Sequence, residues 1–450
     1  MELSDDEILP LSLEHNFWTW SAQAHVNPIP VKRAEGVYFW DVEGKRYLDF
    51  NSMVMCVNIG HGNQKVIEAI ANQARELPFA GPGMATKPRA ALGKLLAEVV
   101  PQGLTRFLYT LGGGDANENA IKLARGFTGR HKILARYRSY HGATYGAIAA
   151  TGDPRRVAVE PSVMPGVVHF LDPYRYRSTF HRTNPNISEE EFTRDYLNHL
   201  EEIIQYEGPE TIAAVLIETV TGTNGVIVPP AGYLQGLRQI CDRYGMLLIC
   251  DEVMSGFGRT GKWFAVDHWG VKPDLMTMAK GITSGYAPLG AVAMREEIAA
   301  AFNERPYPGG LTFNGHPISL AAAVANIEVM RSEGLVERAA QTGEVMAELL
   351  AWLAERHPSV GEVRSIGLFG VIELVRDRET KEPMAPYNGT SPEMTALRSY
   401  LLEHGVFLYT HWHTILIIPP LIIMAEQLSE GFEVLDRALE ITDRSAVQFA

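Results

Sequence analysis

Short, continuous apolar runs alternate with helical patterns from about residue 104 to about residue 295, and this alternation restricts the fold more than any other feature of the chain. Residues 132–135, 213–217, 246–250 and 274–278 are strand candidates. Each is apolar throughout instead of at every second residue, the pattern of a strand covered on both faces. The segments between them, such as 233–244, are amphipathic at helical spacing. Strand–helix alternation implies an α/β protein with a mostly parallel, doubly wound sheet. On the N-terminal side, residues 36–50 alternate apolar and polar around Asp41-Val42-Glu43-Gly44, a hairpin with a glycine turn. Residues 182–188 read as a polar loop, and Ser188 with Glu191 as a capping box that opens a helix. After about residue 318 comes a long alanine-rich helix. Strand candidates follow at 367–375 and 415–418, with a surface loop at 382–391, and together they read as a second, smaller domain.

In an open α/β sheet, ligands sit outside the carboxyl ends of the strands. Asp251 follows the run 246–250, Glu218 follows 213–217, and Lys280, with Gly281 after it, follows 274–278. An acid in that place faces a ligand cation, or more plainly caps a turn or pairs at the surface. A lysine there, if buried, loses its charge and becomes nucleophilic toward carbonyls; the plain alternative is a solvated loop lysine. Gly112-Gly113-Gly114 precedes a helical stretch at 119–126. Glycines let the backbone approach a phosphate, and the free amides of a helix start bind the anion, although a glycine triplet alone is as often a tight turn. Glu118 and Lys122, one turn apart, are expected to pair. In Ser139-Tyr140-His141-Gly142, Tyr140 offers a flat face to a heterocycle, while His141 reads as a structural, hydrogen-bonding histidine. A phosphate cradle, an aromatic face, two carboxylates and a lysine on one rim are the set that pyridoxal phosphate requires.

The 450 residues carry a net charge of −13, and an acidic chain without basic runs gains nothing from a phosphate backbone, so no nucleic-acid partner is expected. Tyr174-Arg175-Tyr176-Arg177, with Phe180 and Arg182, interleaves aromatics and charges as single-strand binders do, but in this chain it reads as a solvated or interface loop. Cys56, Cys241 and Cys250 form no CxxC pair, which suggests a reducing compartment, the cytoplasm; no metal site is expected. The N-terminus is acidic where a signal peptide is basic. The apolar stretch 415–425 is broken by Pro419 and Pro420 and falls short of the roughly 20 residues that cross a bilayer, so no membrane partner is expected.

From about residue 15 to about residue 440 the sequence resembles the class III aminotransferases, or ω-transaminases. The most specific stretch is DEVMSGFGRTGKWFA at 251–265; YHGATYGAIAATGDPRR at 140–156 and WTWSAQ at 18–23 are similar to the amine:pyruvate and taurine:pyruvate branch. The resemblance implies a fold type I, pyridoxal 5′-phosphate-dependent transferase. Its large cofactor-binding domain would span 61–325, and a smaller α+β domain would be built from 1–60, which also reaches the interface, and 326–450. Lys280 matches the lysine that carries the cofactor as a Schiff base, Asp251 the partner of the pyridine nitrogen, and Glu218 the acid beside the ring hydroxyl. Val253 would pack on the ring face opposite Tyr140, beside His141 and Gly142, with Gly113 and Gly114 in the phosphate loop. Thr312 matches a threonine that reaches the phosphate of the neighbouring subunit, which implies at least a homodimer. The implied reaction moves an amino group from an amine or ω-amino acid to a keto acid such as pyruvate, in a ping-pong cycle. Other chemistry on the same cofactor (decarboxylation or aminomutation) and a non-catalytic homologue are the alternatives.

The substrate pocket is expected to involve Trp20, Met55, Phe79, Tyr140, Tyr409 and Trp412. Two positions depart from the family pattern. Gly114 stands where many relatives have a serine, so one hydroxyl contact to phosphate is missing. Tyr409 stands where many carry an arginine that grips the substrate carboxylate, and no arginine lies between Arg398 and Arg437. The expectation is good use of amines and aldehydes without an acid group, with carboxylates held either by groups outside 399–436 or by His411 or His413.

Overall fold

The computed structural model describes residues 3–159, 164–182, 184 and 186–447. The first two residues of the acidic N-terminus and positions 183 and 185 of the polar 182–188 loop lie outside the described residues.

Seven strands form the central sheet, in the order Leu104–Thr110, Gly290–Arg295, Leu275–Met278, Leu247–Asp251, Ile212–Glu218, Lys132–Arg136, Val167–Phe170. From Leu275–Met278 to Val167–Phe170 all neighbours are parallel, while Gly290–Arg295 runs antiparallel to both of its neighbours. Every residue of Ile212–Glu218 and Leu247–Asp251 is buried, which is why these strands carry unbroken apolar runs. The mostly parallel α/β sheet expected from the sequence is present. Three of its strands escape the sequence reading. Leu104–Thr110 exposes Thr105 and Arg106, Val167–Phe170 is four residues long, and Gly290–Arg295 is built from small residues whose conformation is fixed by the ladders on either side.

The helix Gly113–Thr128 begins earlier than the 119–126 stretch suggested, so Gly113 and Gly114 form its first turn. Glu118 does not reach for Lys122. Its carboxylate accepts from the Thr144 hydroxyl at 2.6 Å and from the Ala147 amide at 2.9 Å, at the start of the helix Tyr145–Ala150, where an anion meets the free amides and the positive end of the dipole. Ser188 caps the helix Glu189–Glu207 as expected, accepting from the Glu191 amide at 3.2 Å.

Two smaller sheets accompany the large one. Val31–Glu35, Tyr38–Asp41 and Arg46–Asp49 pair antiparallel, and Asp41 holds the expected turn by accepting from the Glu43 and Lys45 amides at 3.0 and 2.9 Å. Val406–Phe407 adds to Arg46–Asp49 in parallel, so distant parts of the chain share this sheet. The other sheet is antiparallel: Val360–Ile366, Phe369–Asp377, Thr414–Ile417 and Tyr409–His411. The 382–391 loop is less superficial than expected, since Met384 and Ala385 are buried and Glu382–Pro383 pairs with Phe369–Asp377. The Tyr174–Arg177 segment is not a solvated loop either. Tyr174 is buried with its hydroxyl on Glu373, and the Arg177 Nε also donates to Glu373. A carboxylate sunk in a core needs such donors, because unpaired burial of a charge is prohibitive.

Candidate active site

The carboxyl ends of the parallel strands open into a cavity of about 610 Å³. Lys280, Asp251 and Glu218 all line it. Asp251 ends its strand with both oxygens committed: Oδ2 accepts from Asn117 Nδ2 at 2.8 Å and faces His141 Nδ1 at 2.8 Å, and Oδ1 accepts from the Val253 amide at 3.0 Å. Asn117 is fixed in turn, accepting from the Thr277 hydroxyl at 2.8 Å and donating to the His141 carbonyl at 2.8 Å. His141 makes the hydrogen-bonding contact expected of a structural histidine, and with an ionised Asp251, which can only accept, Nδ1 is the donor. Glu218 accepts from the Tyr140 amide at 2.9 Å and the Gly222 amide at 2.7 Å. Burial raises its pKa, and the nearby Asp251 pushes it the same way.

Lys280 follows the strand Leu275–Met278 with a left-handed backbone, φ 46°. For a side chain with a Cβ, that conformation costs on the order of 1 kcal/mol, and it is held by the surroundings. Gly281 supplies the constraint: a Cβ there would lie 2.6 Å from Asn58 Nδ2 and 2.9 Å from Phe257 Cβ. Asn58 is itself locked, donating to the Phe257 carbonyl at 2.8 Å and accepting from Arg259 at 2.9 Å. Burial lowers the Lys280 pKa and outweighs the nearby thiol and carboxylates, which act to raise it.

The 251–265 segment folds over its own acid. Glu252, fully buried, accepts from the Ser255 hydroxyl at 2.6 Å and from the Ala265 and Val266 amides at 3.0 and 2.8 Å. Arg259, also buried, donates to the Leu368 carbonyl at 3.0 Å and to the Ser52 hydroxyl at 3.2 Å, joining the strand-end loop to two other segments. The loop that follows Asp251 is thereby tied to itself and to two other segments.

Gly113 and Gly114 line the same cavity at the start of their helix, whose first-turn amides have no intrahelical acceptor. A Cβ on Gly113 would lie 2.8 Å from Val253 Cγ1, and one on Gly114 would lie 3.3 Å from the Gly142 Cα. Gly142, at φ 136°, approaches so closely that its own added Cβ would lie 2.4 Å from the Gly114 Cα. A side chain at 114 would press on the Gly142 backbone, so a residue larger than glycine there needs that backbone to give by a few tenths of an ångström.

Trp20, Met55, Tyr140 and Tyr409 line the cavity; Phe79 and Trp412 do not. Phe79 is exposed and packs on Phe313 and His316, and Trp412 is drawn away by stacking on His411 and by Tyr387. Thr312 is exposed, away from the cavity of its own chain. Neither His411 nor His413 lines the cavity. Burial pushes His411 down to about 4, and His413 faces the buried Glu373 at 3.4 Å. The guanidinium on the wall, among the described residues, is Arg155. It lies over the Tyr140 ring at 3.8 Å, and Asp153 holds it through Nε at 3.0 Å to both carboxylate oxygens. Arg155 and Asn117 were in view in the sequence without a role. No local pattern marks either of them; each acquires its place from a fold contact.

Trp20 sits in a small loop with φ 58°, closed by Gln23. Gln23 Oε1 accepts from the Trp18 amide at 2.9 Å, and its Nε2 donates to the Trp18 and Ser21 carbonyls at 2.8 and 2.9 Å. Exposed bonds of this kind contribute roughly 0.5–1.5 kcal/mol each. Gln23→Ala should raise the KM for donor amines several-fold with little change in kcat or Tm; steady-state kinetics that show an unchanged KM exclude this loop as a pocket wall.

The sequence matches the family described as aminotransferase class-III over residues 20–439. The chain belongs to that family. This aminotransferase is 34% identical over 423 residues to a putrescine–pyruvate aminotransferase of Pseudomonas aeruginosa, covering 92% of this chain and 90% of that one. It is 36% identical to a taurine–pyruvate aminotransferase of Bilophila wadsworthia, with 84% of each covered. A taurine:2-oxoglutarate aminotransferase from Bifidobacterium kashiwanohense, solved in complex with PLP and glutamate, superposes with a TM-score of 0.95, 42% identity and 99% coverage of both chains. Enzymes of the class use pyridoxal 5′-phosphate, and the residues present fit it. The cavity offers a half-buried lysine, a fixed carboxylate, a tyrosine face, and glycine amides whose neighbours leave no room for side chains.

Proposed function

We propose that this aminotransferase moves amino groups between ω-amino acids or related amines and a 2-oxo acid such as pyruvate, and that Arg155 grips the acid group of these substrates. The arginine on the cavity wall carries the reading. Asp153 and Thr223 occupy its Nε and Nη2, the latter with Thr223 Oγ1 at 3.4 Å, while no protein acceptor takes Nη1 among the described residues. It would take the place of the missing arginine from a segment outside 399–436, the first of the two routes expected from the sequence, while neither His411 nor His413 reaches the cavity.

Bound pyridoxal phosphate supplies an aldehyde for the amine and a protonated ring that accepts electrons when a bond at the amine-bearing carbon breaks. The chain's residues do the rest. The amides of Gly113 and Gly114 would hold the phosphate, and Tyr140 and Val253, which line the same cavity, would pack against the ring. Asp251 places a negative charge where it keeps the pyridine nitrogen protonated. The Lys280 amine, shifted by burial toward its neutral form, would take the proton from the donor's amine-bearing carbon and pass it to the former aldehyde carbon of the cofactor, and would run the same transfer in reverse in the second half-reaction.

Arg155→Gln should raise the KM for pyruvate roughly 10- to 150-fold, the equivalent of about 1.5–3 kcal/mol for a hydrogen bond to a charged group, and leave a neutral aldehyde acceptor nearly unaffected. In the wild type, the preference for pyruvate over that aldehyde should stay flat from about pH 6 to 9. The guanidinium does not titrate there, and His411, pushed down to about 4, is already neutral. Equal losses on both acceptors, or a preference that fades as the pH rises, contradicts the assignment.

The active unit in this reading is a homodimer. Thr312 is exposed beside Phe313, and Phe79 and Met84 are exposed as well, a set of apolar side chains suited to an interface that would bring Thr312 and Phe79 to the partner's cavity. Light scattering at micromolar protein should give twice the chain mass of 49.8 kDa, and a fully active monomer contradicts it. No helix among the described residues is long and apolar enough to cross a membrane. Free, buried Cys241 and Cys250 support a cytoplasmic location.

A further inference from the structure

The Tyr174–Arg177 segment, which the catalytic reading leaves unused, forms part of the wall of a second cavity of about 290 Å³. Two guanidiniums line it, those of Arg138 and Arg177. Arg138 takes part in no ion pair with a carboxylate among the described residues, and its side chain makes one long hydrogen bond, Nη1 to the Asn224 carbonyl at 3.4 Å. Its guanidinium lies 4.9 Å from the Tyr174 ring and 5.7 Å from that of Tyr387. Arg177 gives Nε to Glu373 and Nη1 to the Lys381 carbonyl at 2.7 Å, while its Nη2 is buried without a partner. One carboxylate, Asp172, shares the wall. Its Oδ2 accepts from the backbone amide of Arg138 at 2.7 Å, and Arg136 stands 3.8 Å from its Oδ1. Asp172 Oδ1 is also buried without a hydrogen-bond partner, so the wall sets two guanidiniums, Arg177 Nη2 and the largely unbonded Arg138, against one carboxylate oxygen, with aromatic rings beside them.

Buried donors without acceptors are rare because each forfeits the hydrogen bond it had in water. We propose that this cavity binds a small oxyanion, a carboxylate or sulfonate of a few carbons, through Arg138 and Arg177, with the carbon body against the tyrosine rings. Guanidinium forks match the geometry of such groups, and the volume suits a molecule of substrate size. The site holds no lysine and carries out no chemistry. It neighbours the catalytic pocket through Asn224, which accepts from Arg138 and donates to Asp153 Oδ2 at 3.2 Å, the same carboxylate that holds Arg155. The proposal does not depend on Arg155 being the substrate grip.

Equilibrium dialysis of the holoenzyme with labelled succinate, which has no amino or keto group to turn over, is the test. The wild type should bind one equivalent that Arg155→Gln removes and a further equivalent that Arg155→Gln leaves in place. Arg138→Gln should weaken the further equivalent roughly tenfold or more, with the cofactor absorbance and kcat kept. Thr179→Trp places bulk on the exposed rim without altering a charge and should block the same equivalent, which guards against a folding defect in the arginine variant. Loss of the Arg138-dependent equivalent alone, with Arg155→Gln binding as wild type does, supports this site and rejects the Arg155 reading. The proposal is overturned if the holoenzyme binds no succinate, if all binding disappears with Arg155→Gln, or if the further equivalent survives both Arg138→Gln and Thr179→Trp.

Discussion

Lys280→Ala should abolish transamination, with a loss on the order of 10⁴-fold or more, because in the proposed mechanism one side chain both attaches the cofactor and moves the proton. Borohydride treatment of the wild-type holoenzyme should fix the cofactor to the peptide containing Lys280, and the variant should show no such label. The apoenzyme of the variant should be at least as resistant to heat as the wild-type apoenzyme. Burial disfavours the Lys280 ammonium, and its removal relieves that cost without opening a structural hydrogen-bond network. A small added amine should restore part of the proton-transfer rate in Lys280→Ala. Retention of near-wild-type turnover, or a covalent label on another lysine, would remove Lys280 from the mechanism.

Asp251→Asn should lower kcat roughly 10³-fold while much of the cofactor is retained, since the glycine amides proposed to bind phosphate belong to a different segment. The loss has two sources. The neutral amide no longer favours a protonated pyridine nitrogen. Nor does it fit its place: the two oxygens of Asp251 accept from the Val253 amide on one side and from Asn117 on the other, so an amide NH₂ meets a donor in either orientation. Single-turnover measurements with saturating cofactor separate the chemical step from binding. Turnover close to wild type in the loaded variant is the outcome that rules out this role.

The parts of this protein that were legible in its sequence share a physical cause. Ile212–Glu218 and Leu247–Asp251 are buried on both faces, so their runs are apolar throughout, and the residues that end them stand at the rim where ligands bind. That rule pointed to Glu218, Asp251 and Lys280 as a group, and all three line the cavity. Gly113 and Gly114 were visible as candidates for a phosphate cradle, but their place inside the first helical turn was not, because glycine gives no helical signal. Gly290–Arg295 was missed for a related reason: its alanines carry little strand preference, and the neighbouring ladders decide. The pocket was the least legible part. Arg155 reaches the cavity through a capping turn at Asp153, and Trp412 leaves it by stacking on His411, contacts made between side chains that no periodicity encodes. The missing arginine near Tyr409 was a correct observation about one segment, but it did not describe the pocket, which also draws its wall from elsewhere in the fold.

The most direct test of the central claim follows nitrogen. The holoenzyme is given a ¹⁵N-labelled ω-amino acid with pyruvate, and the products are resolved by mass spectrometry. The account predicts ¹⁵N in alanine in step with donor consumed, the donor's carbon skeleton recovered as the aldehyde or oxo acid, and no transfer in Lys280→Ala. Label retained on a rearranged or inverted donor, or carbon dioxide released in place of alanine formation, would show that this cavity performs a different reaction.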